Sequence, residues 1–361
     1  MNFNLDFDFR EDIEDAVLRV VRSGQYANGP ELKRFEKDWA AFNELPFAVG
    51  VGSGTDALRL ALLACGVKPG DEVISPAFNV GYTAQAVVSI GAKNVFVDID
   101  PDTWLMDKWK VDDAVTPRTK AIIPVHLFGQ MVDMEGLSHI ARRNGCVLIE
   151  DAAQCHGASY MSFAPGYFSD AACYSHYPTK NLGCLGEGGS VLTRLPIIAD
   201  RVRLLRDAGR VDRYVHLMPG VNSMLDEIQA AILNVKLPHL RDQNVRRVDA
   251  ANYYHQKLEG VGDIKIQKVA HQAWPVNHLC VITTKKREAV LENFRKNEIP
   301  ALVHYPCTLA RQPFAVADAL DQGPFPIADR IAASCLSLPL YPSITQTDQD
   351  KVIAAIKEVY A

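Results

Sequence analysis

The chain has 361 residues, of which 48% are hydrophobic and 22% charged, with a net charge of −5. These values fit an ordinary globular chain with a sizeable core, and they exclude a general electrostatic attraction to nucleic acid or to an anionic membrane surface. The length suits one large domain plus one small one, and no apolar run of about eighteen residues predicts a membrane span.

In chain order, residues Ile13 to Val21 and Glu31 to Phe42 read as amphipathic helices separated by Gly29-Pro30. From Phe47 onward, short apolar runs rich in Val, Ile and Phe alternate with helical stretches. Strands are expected at Ala48–Val51, Glu72–Ser75, Asn94–Val97, Ala121–Val125, Cys146–Ile149, Ala171–Ser175 and Gly189–Thr193. Helices are expected between them at Asp56–Cys65, Val80–Ile90 and Met134–Asn144. Continuous apolar strands alternating with helices predict an α/β chain with a mainly parallel sheet covered on both faces, and ligands on such sheets bind beyond the carboxyl ends of the strands. A long helical stretch over Ser223–Leu258, broken at Pro238, closes this part. The expected division is a large domain over 1–245 and a smaller α+β domain over 246–361. The second has strands at Ala273–Ile282 and Leu302–Tyr305 and helices at Lys286–Asn297 and Asp348–Tyr360.

The eight cysteines form no Cys-x-x-Cys pair and mostly lie in apolar stretches, so they read as free buried thiols of a reducing compartment. Residues Met1 to Asp15 are acidic and lack the apolar core of a secretion signal. The chain is therefore expected in the cytoplasm. No metal site is expected.

Lys180 lies in Ser175-His176-Tyr177-Pro178-Thr179-Lys180-Asn181-Leu182-Gly183, ahead of Gly186-Glu187-Gly188-Gly189. A lysine between two core strands is costly to bury unless its amine is used or paired, although a lone lysine most often sits on the surface. Asp151 ends the run Val147-Leu148-Ile149-Glu150; at a strand's carboxyl end it reads either as a helix N-cap or as a carboxylate facing the binding crevice of an open sheet. A lysine able to form a Schiff base, together with a carboxylate to hold a pyridine nitrogen protonated, is what pyridoxal phosphate (PLP) needs. Gly52-Ser53-Gly54-Thr55-Asp56 is a strand end, a small-residue turn and a helix start. It offers free N–H groups and a helix dipole to an anion, or it is a plain capped turn. It is neither a Walker loop nor a dinucleotide fingerprint. His126, His156, His304 and Tyr305 sit near expected strand ends, where a histidine is either structural or in contact with ligand.

These segments, in this order and spacing, resemble the DegT/StrS-type family of sugar aminotransferases, PLP enzymes of fold type I. The resemblance covers nearly the whole chain. It rests on Gly29-Pro30-Glu31, Gly52–Leu58, Pro69–Ile74, Phe96–Asp100, Pro124–Gln130, Glu150–Gln154, Pro178–Gly183, Gly186–Gly189, Asp226–Ala231 and Val303–Pro306. It implies a three-layer fold, with Lys180 as the Schiff-base lysine, Asp151 as partner of the pyridine nitrogen and Gln154 beside the cofactor hydroxyl. It implies phosphate contacts from Gly54, Thr55 and Ser175, and an Asn222 lent to the cofactor phosphate of a neighbouring subunit in a homodimer. Family members place an aromatic residue near position 80 to stack on the pyridine. Here that position is Val80, with Phe78 and Tyr82 nearby, either of which could substitute; Phe78 is taken as a candidate cofactor contact and Tyr82 also as a candidate substrate contact. Met224 stands where the family often has arginine, and the loop Ser159–Ser169 is short and lacks the usual basic turn.

The implied activity moves an amino group from glutamate or glutamine to a keto group of a nucleotide-linked sugar, with His126, His156, His304 and Tyr305 as further candidate substrate contacts. A keto-cyclitol or another keto intermediate of secondary metabolism is the alternative substrate. A PLP-dependent sugar dehydratase and a non-catalytic regulator are weaker readings. Relatives that dehydrate sugars lack the lysine, typically carrying histidine there, and a regulator would carry a degenerate lysine or carboxylate.

Overall fold

The computed structural model describes residues 9–314 and 323–361. After α1 (Arg10–Ser23) and α2 (Pro30–Phe42), strands and helices alternate through β1 (Phe47–Val51), α3 (Gly54–Ala64), β2 (Glu72–Pro76), α4 (Gly81–Ser89) and β3 (Lys93–Val97). The series continues with α5 (Lys108–Ala114), β4 (Thr119–Ile122), α6 (Met134–Asn144), β5 (Val147–Asp151), β6 (Ser159–Tyr160), β7 (Ala171–Ser175), β8 (Gly189–Thr193) and α7 (Pro196–Arg206). The first eight residues of the stretch read for a secretion signal lie outside the described residues.

Seven strands pair in the order β1-β8-β7-β5-β4-β2-β3. β2, β3, β4, β5 and β7 run parallel, and β8 runs antiparallel to both β7 and β1. This is the mainly parallel, helix-covered sheet of the three-layer fold expected from the alternation of apolar runs. One face is covered by a cluster containing Leu60, Val87 and Val202, the other by a cluster containing Phe35, Phe96, Phe128 and Leu137. Burial on both faces explains why the strands read as continuous apolar runs.

The topology gathers the carboxyl ends of β1, β5 and β7. Asp151 of β5 pairs with Cys173 of β7, and Val51 of β1 pairs with Gly189 of β8. The turn that follows β1, the end of β5 and the end of β7 therefore open on one crevice.

α8 (Glu227–Lys236), a short 3₁₀ turn at Leu237–His239 and α9 (Leu240–Leu258) fill the long helical stretch, with the break at Pro238 where proline removes an N–H. The Glu227 carboxylate accepts the N–H groups of Gly29, Glu31 and Leu32 at 2.7, 2.9 and 3.0 Å. It thereby satisfies the start of α2, which has no cap of its own. A Cβ at Gly29 would lie 2.8 Å from Glu227 Oε2, so the close approach requires glycine there.

α9 runs across position 245. Its Leu240 belongs to the large apolar cluster, while Ala251, Tyr254 and Leu258 belong to a separate C-terminal cluster. The rest of that unit contains β9 (Lys265–Ile266), β10 (Ala273–Trp274), β11 (Cys280–Thr283), α10 (Arg287–Lys296), α11 (Pro326–Ser334), β12 (Cys335–Leu338) and α12 (Gln346–Glu358). Two expectations are corrected here. The single strand over Ala273–Ile282 is two: β10 pairs with β6 of the large part, and β11 pairs with β9 and β12. Pro275 explains the interruption, since it cannot donate to a ladder. Leu302–Tyr305 is not a strand and makes only an isolated bridge between Leu302 and Ser337.

Among the described residues no helix is long and apolar enough to cross a membrane, and no group of His, Cys, Asp and Glu is arranged to hold a metal ion. All eight cysteines are free thiols.

Candidate active site

Asp151 ends β5 with its side chain buried. Its Oδ2 accepts from the Thr83 hydroxyl at 2.6 Å, and its Oδ1 accepts the Ala153 N–H at 3.2 Å. Thr83 in turn accepts from Asn79 Nδ2 at 2.7 Å. Burial raises the Asp151 carboxyl above its ordinary range; the two hydrogen bonds and the Lys180 charge pull the other way without overcoming it. A buried carboxylate held by donors, yet joined to no cation by an ion pair among the described residues, can accept a cationic partner.

Lys180 lies in the turn after β7, its N–H held by the Tyr177 carbonyl at 2.9 Å. Burial pushes its ammonium down to about 8, with Asp151 acting in the opposite direction. No hydrogen bond or ion pair engages its Nζ among the described residues. A buried amine with that affinity for protons is still mostly protonated near pH 7, but its neutral fraction is far larger than an ordinary lysine's, so it can act as a nucleophile or a base.

The turn Ser53-Gly54-Thr55 starts α3. Ser53 Oγ accepts the Asp56 N–H at 3.1 Å, and Asp56 Oδ2 accepts from Ser223 Oγ at 2.6 Å. The Gly54 and Thr55 N–H groups take no acceptor among the described residues. A Cβ at Gly54 would lie 2.6 Å from Ser175 Cβ. Glycine therefore lets the start of α3 close on Ser175, and free N–H groups, helix dipole and hydroxyl form one anion cradle.

Gln154 and Tyr305 meet in the crevice. Gln154 Oε1 accepts the Phe128 N–H at 2.6 Å, and its Nε2 donates to the Tyr305 hydroxyl at 3.1 Å. His304 pairs through Nδ1 with Ser337 Oγ at 2.8 Å, and its imidazolium is disfavoured by burial and then by the Lys180 charge. Tyr82 is 64% exposed on the first turn of α4.

Two candidate contacts are corrected. His126 is fully buried; its Nε2 pairs with Glu150 Oε2 at 2.6 Å and its Nδ1 accepts the Val132 N–H at 3.3 Å. Neither ring nitrogen is left for a substrate, so the residue braces β5 instead. His156 is also fully buried, packed against Trp39, Tyr174 and His176 with ring centroids 6.0, 5.2 and 5.4 Å away. Its ring is packed in the aromatic core, where burial and then the neighbouring His176 and Lys180 charges disfavour its imidazolium. Phe78 is buried as well, edge-on to Phe128 and Tyr305.

The sequence reading missed Thr83 and Asn79, whose polar side chains in an expected helix start gave no hint that they would face Asp151. It also missed Glu150, which anchors Gly166 N–H and the Ser169 hydroxyl at 2.6 and 2.5 Å, fixing the loop that follows. A cavity of about 780 Å³, bordered by Phe42, Phe163, Asn244, Trp274 and Val276, is lined by none of Lys180, Asp151 or Gln154.

The model of the DegT/DnrJ/EryC1/StrS aminotransferase family matches residues 8–357. The chain belongs to this family. It is similar to a dTDP-3-amino-3,4,6-trideoxy-alpha-D-glucose transaminase of Streptomyces venezuelae, with 41% identity over 97% of this chain and 93% of that one. It is likewise similar to a pleiotropic regulatory protein of Geobacillus stearothermophilus, with 42% identity over 97% and 96% of the two chains. Among solved structures, S. venezuelae DesV in complex with a ketimine intermediate superposes with a TM-score of 0.95 at 41% identity, over 97% of this chain and 95% of that chain.

DegT/DnrJ/EryC1/StrS aminotransferases are PLP-dependent transaminases, and so is this chain. The crevice fits that cofactor on its own terms. A buried carboxylate without an ion-pair partner, a buried amine of depressed pKa and a glycine-built anion cradle are the three attachment points that a phosphorylated pyridine aldehyde requires.

Proposed function

We propose that this chain transfers an amino group from glutamate or glutamine to a keto group on a nucleotide-linked sugar, in amino-sugar biosynthesis. The observation that carries the reading is the shared burial of Lys180 and Asp151, each without an ion-pair partner among the described residues and each within reach of the other's charge. The similarity to a dTDP-sugar transaminase supports the substrate class.

PLP, when bound, supplies an electron-accepting ring and a carbonyl for amine exchange. Asp151 holds the proton on the ring nitrogen, and Thr83 and the Ala153 N–H orient its carboxylate. Lys180 would hold the cofactor through its amine at rest, and that amine, when free, would take up and release the proton that moves during amine exchange. Its pKa of about 8 suits both duties. The N–H groups of Gly54 and Thr55 and the Ser175 hydroxyl bind the phosphate. Gln154 orients the cofactor hydroxyl while tethered to Tyr305. Phe78 backs the ring as part of the wall, and Tyr82, His304 and Tyr305 face the arriving sugar.

Asn222 completes the phosphate site of a second copy in a homodimer. It is exposed, and the preceding loop carries exposed Val211, Tyr214 and Leu217, at 50, 80 and 66% exposure, an apolar patch that a second copy would bury. We place the chain in the cytoplasm, where its thiols stay reduced, and divide it into domains at residue 245.

The test is spectroscopic. The purified protein with PLP should show a visible cofactor band that glutamate or glutamine bleaches and a nucleotide-linked keto-sugar restores. A band that no amino donor bleaches would favour the regulatory reading, which the name of the G. stearothermophilus relative raises. Restoration by a keto-cyclitol but by no nucleotide-linked sugar would move the substrate class.

A further inference from the structure

Three buried polar side chains from separate parts of the chain meet beside Lys180. Asn181, the next residue, donates through Nδ2 to Asn244 Oδ1 at 2.9 Å and to the Val276 carbonyl at 3.2 Å. Its Oδ1 faces His278 Nδ1 at 3.1 Å, which makes Nδ1 the protonated nitrogen of that ring. Asn244 Nδ2 donates to the His156 carbonyl at 2.8 Å. Asn181, Asn244 and His278 are 5, 6 and 7% exposed. Both Nδ2 hydrogens and the oxygen of the Asn181 amide are engaged, so it has one orientation.

The partners come from elements that otherwise share little. Asn244 sits on α9. Val276 and His278 lie on the segment leading into β11, docked on the large part by the bond from Val276 N–H to the Gly129 carbonyl at 2.8 Å. His156 follows Asp151 by five positions. The network thus touches the immediate neighbourhoods of both Lys180 and Asp151 and ties them to the C-terminal sheet.

We propose that Asn181, Asn244 and His278 are positioning residues that fix the Lys180 amine in the crevice and link it to the C-terminal unit. The proposal rests on the assignment of Lys180 as the cofactor's lysine. Its physical basis is that Nζ makes no hydrogen bond of its own among the described residues, so the backbone turn alone sets its direction. The side chain of Asn181 anchors that turn. In a buried setting, a fully satisfied hydrogen-bond network is rigid, and removing one member leaves the others unsatisfied at a real cost. A loosened turn lets water reach the amine.

The titratable groups around Lys180 are Asp151 at the end of β5, His156 after it, His278 before β11 and His304 in the C-terminal unit. Burial disfavours the charged form of all three histidines, so variants of the network leave Asp151 as the principal opposite charge.

The test uses the full chain without cofactor. The pH dependence of Lys180 acylation, mapped by mass spectrometry, should have a midpoint of about 8 in the wild type. In Asn244→Ala and in His278→Leu the midpoint should rise by about one pH unit as the amine becomes hydrated. His278→Asn places an amide N–H where Nδ1–H stood and should keep the wild-type midpoint. The double variant Asn244→Ala/His278→Leu should shift no further than the larger single change, because both break one network. Unchanged midpoints in folded single variants, full additivity in the double variant, or a shift in His278→Asn equal to that in His278→Leu would each overturn the proposal. Should Asn244→Ala fail to fold, the contrast between His278→Leu and His278→Asn decides alone. Borohydride reduction of the PLP-loaded wild type separates the two ideas. Cofactor mass on another lysine removes the functional assignment, while the acylation midpoints still report on the network.

Discussion

The Thr83 hydroxyl donates to Asp151 Oδ2 at 2.6 Å while accepting from Asn79 Nδ2 at 2.7 Å, so a helix start two strands away holds the crevice carboxylate in place. A hydrogen bond to a charged group contributes about 1.5–3 kcal/mol. Thr83→Val keeps the shape, removes that bond and favours the protonated carboxyl. Steady-state kinetics should show kcat lowered at least about tenfold by a loss of this size. Thr83→Ser, which keeps the hydroxyl, should recover most of it. Equal activity in the valine and serine variants would show that Asp151 does not depend on this donor.

Asp151→Asn should have opposite effects on activity and on stability. Replacing one partner of a buried charge pair costs about 2–5 kcal/mol, so turnover should fall by at least about thirtyfold. In the cofactor-free protein the folded-state pKa of Asp151 is raised above its ordinary 3.8 by burial. Its contribution to stability is therefore greatest below that value and is lost as pH rises. At pH 7 the cofactor-free Asn variant should melt above the cofactor-free wild type, and the gap should close in acid. Calorimetry at several pH values reads this directly.

Lys180 carries the reverse linkage. Burial lowers its folded-state pKa from 10.5 to about 8, so its contribution is fully present above about 10.5 and is lost as pH falls through about 8. The cofactor-free wild type should therefore gain stability relative to Lys180→Met between those limits. The rate of PLP capture should rise with pH and level off above about 8, tracking the neutral amine.

Subunit mixing tests the shared site. Lys180→Ala and Asn222→Ala homodimers should each be nearly inactive. After random exchange, half the dimers are mixed, and one site in each pairs an intact Lys180 with an intact Asn222. Activity should return to about a quarter of wild type, the share that two-fold symmetry gives. No recovery, with exchange confirmed by mass, would place Asn222 outside the partner's site.

The chain reads plainly wherever a structural demand repeats along it. The sheet was legible because strands buried on both faces must be apolar throughout, and the turn at Ser53–Thr55 because a close approach admits only small residues. Asp151 and Lys180 stood out by residue type at strand ends. The histidines misled for a physical reason. His126 and His156 sit at equally suggestive positions, but Glu150 and the ring of Trp39 claim them, and both partners come from other elements. Thr83, Asn79 and Asn244 were invisible because their roles exist only once α4 and α9 pack beside the crevice. The split of the expected strand at Pro275 was readable, since a proline in such a run argues against continuous pairing.

The central claim is that Lys180 carries the cofactor. Borohydride reduction fixes PLP on whichever amine holds it, and peptide mass spectrometry locates the addition. The added mass is expected on Lys180, and is absent when glutamate is supplied before reduction. Addition at another lysine with Lys180 unmodified, or full turnover by Lys180→Ala, would contradict it.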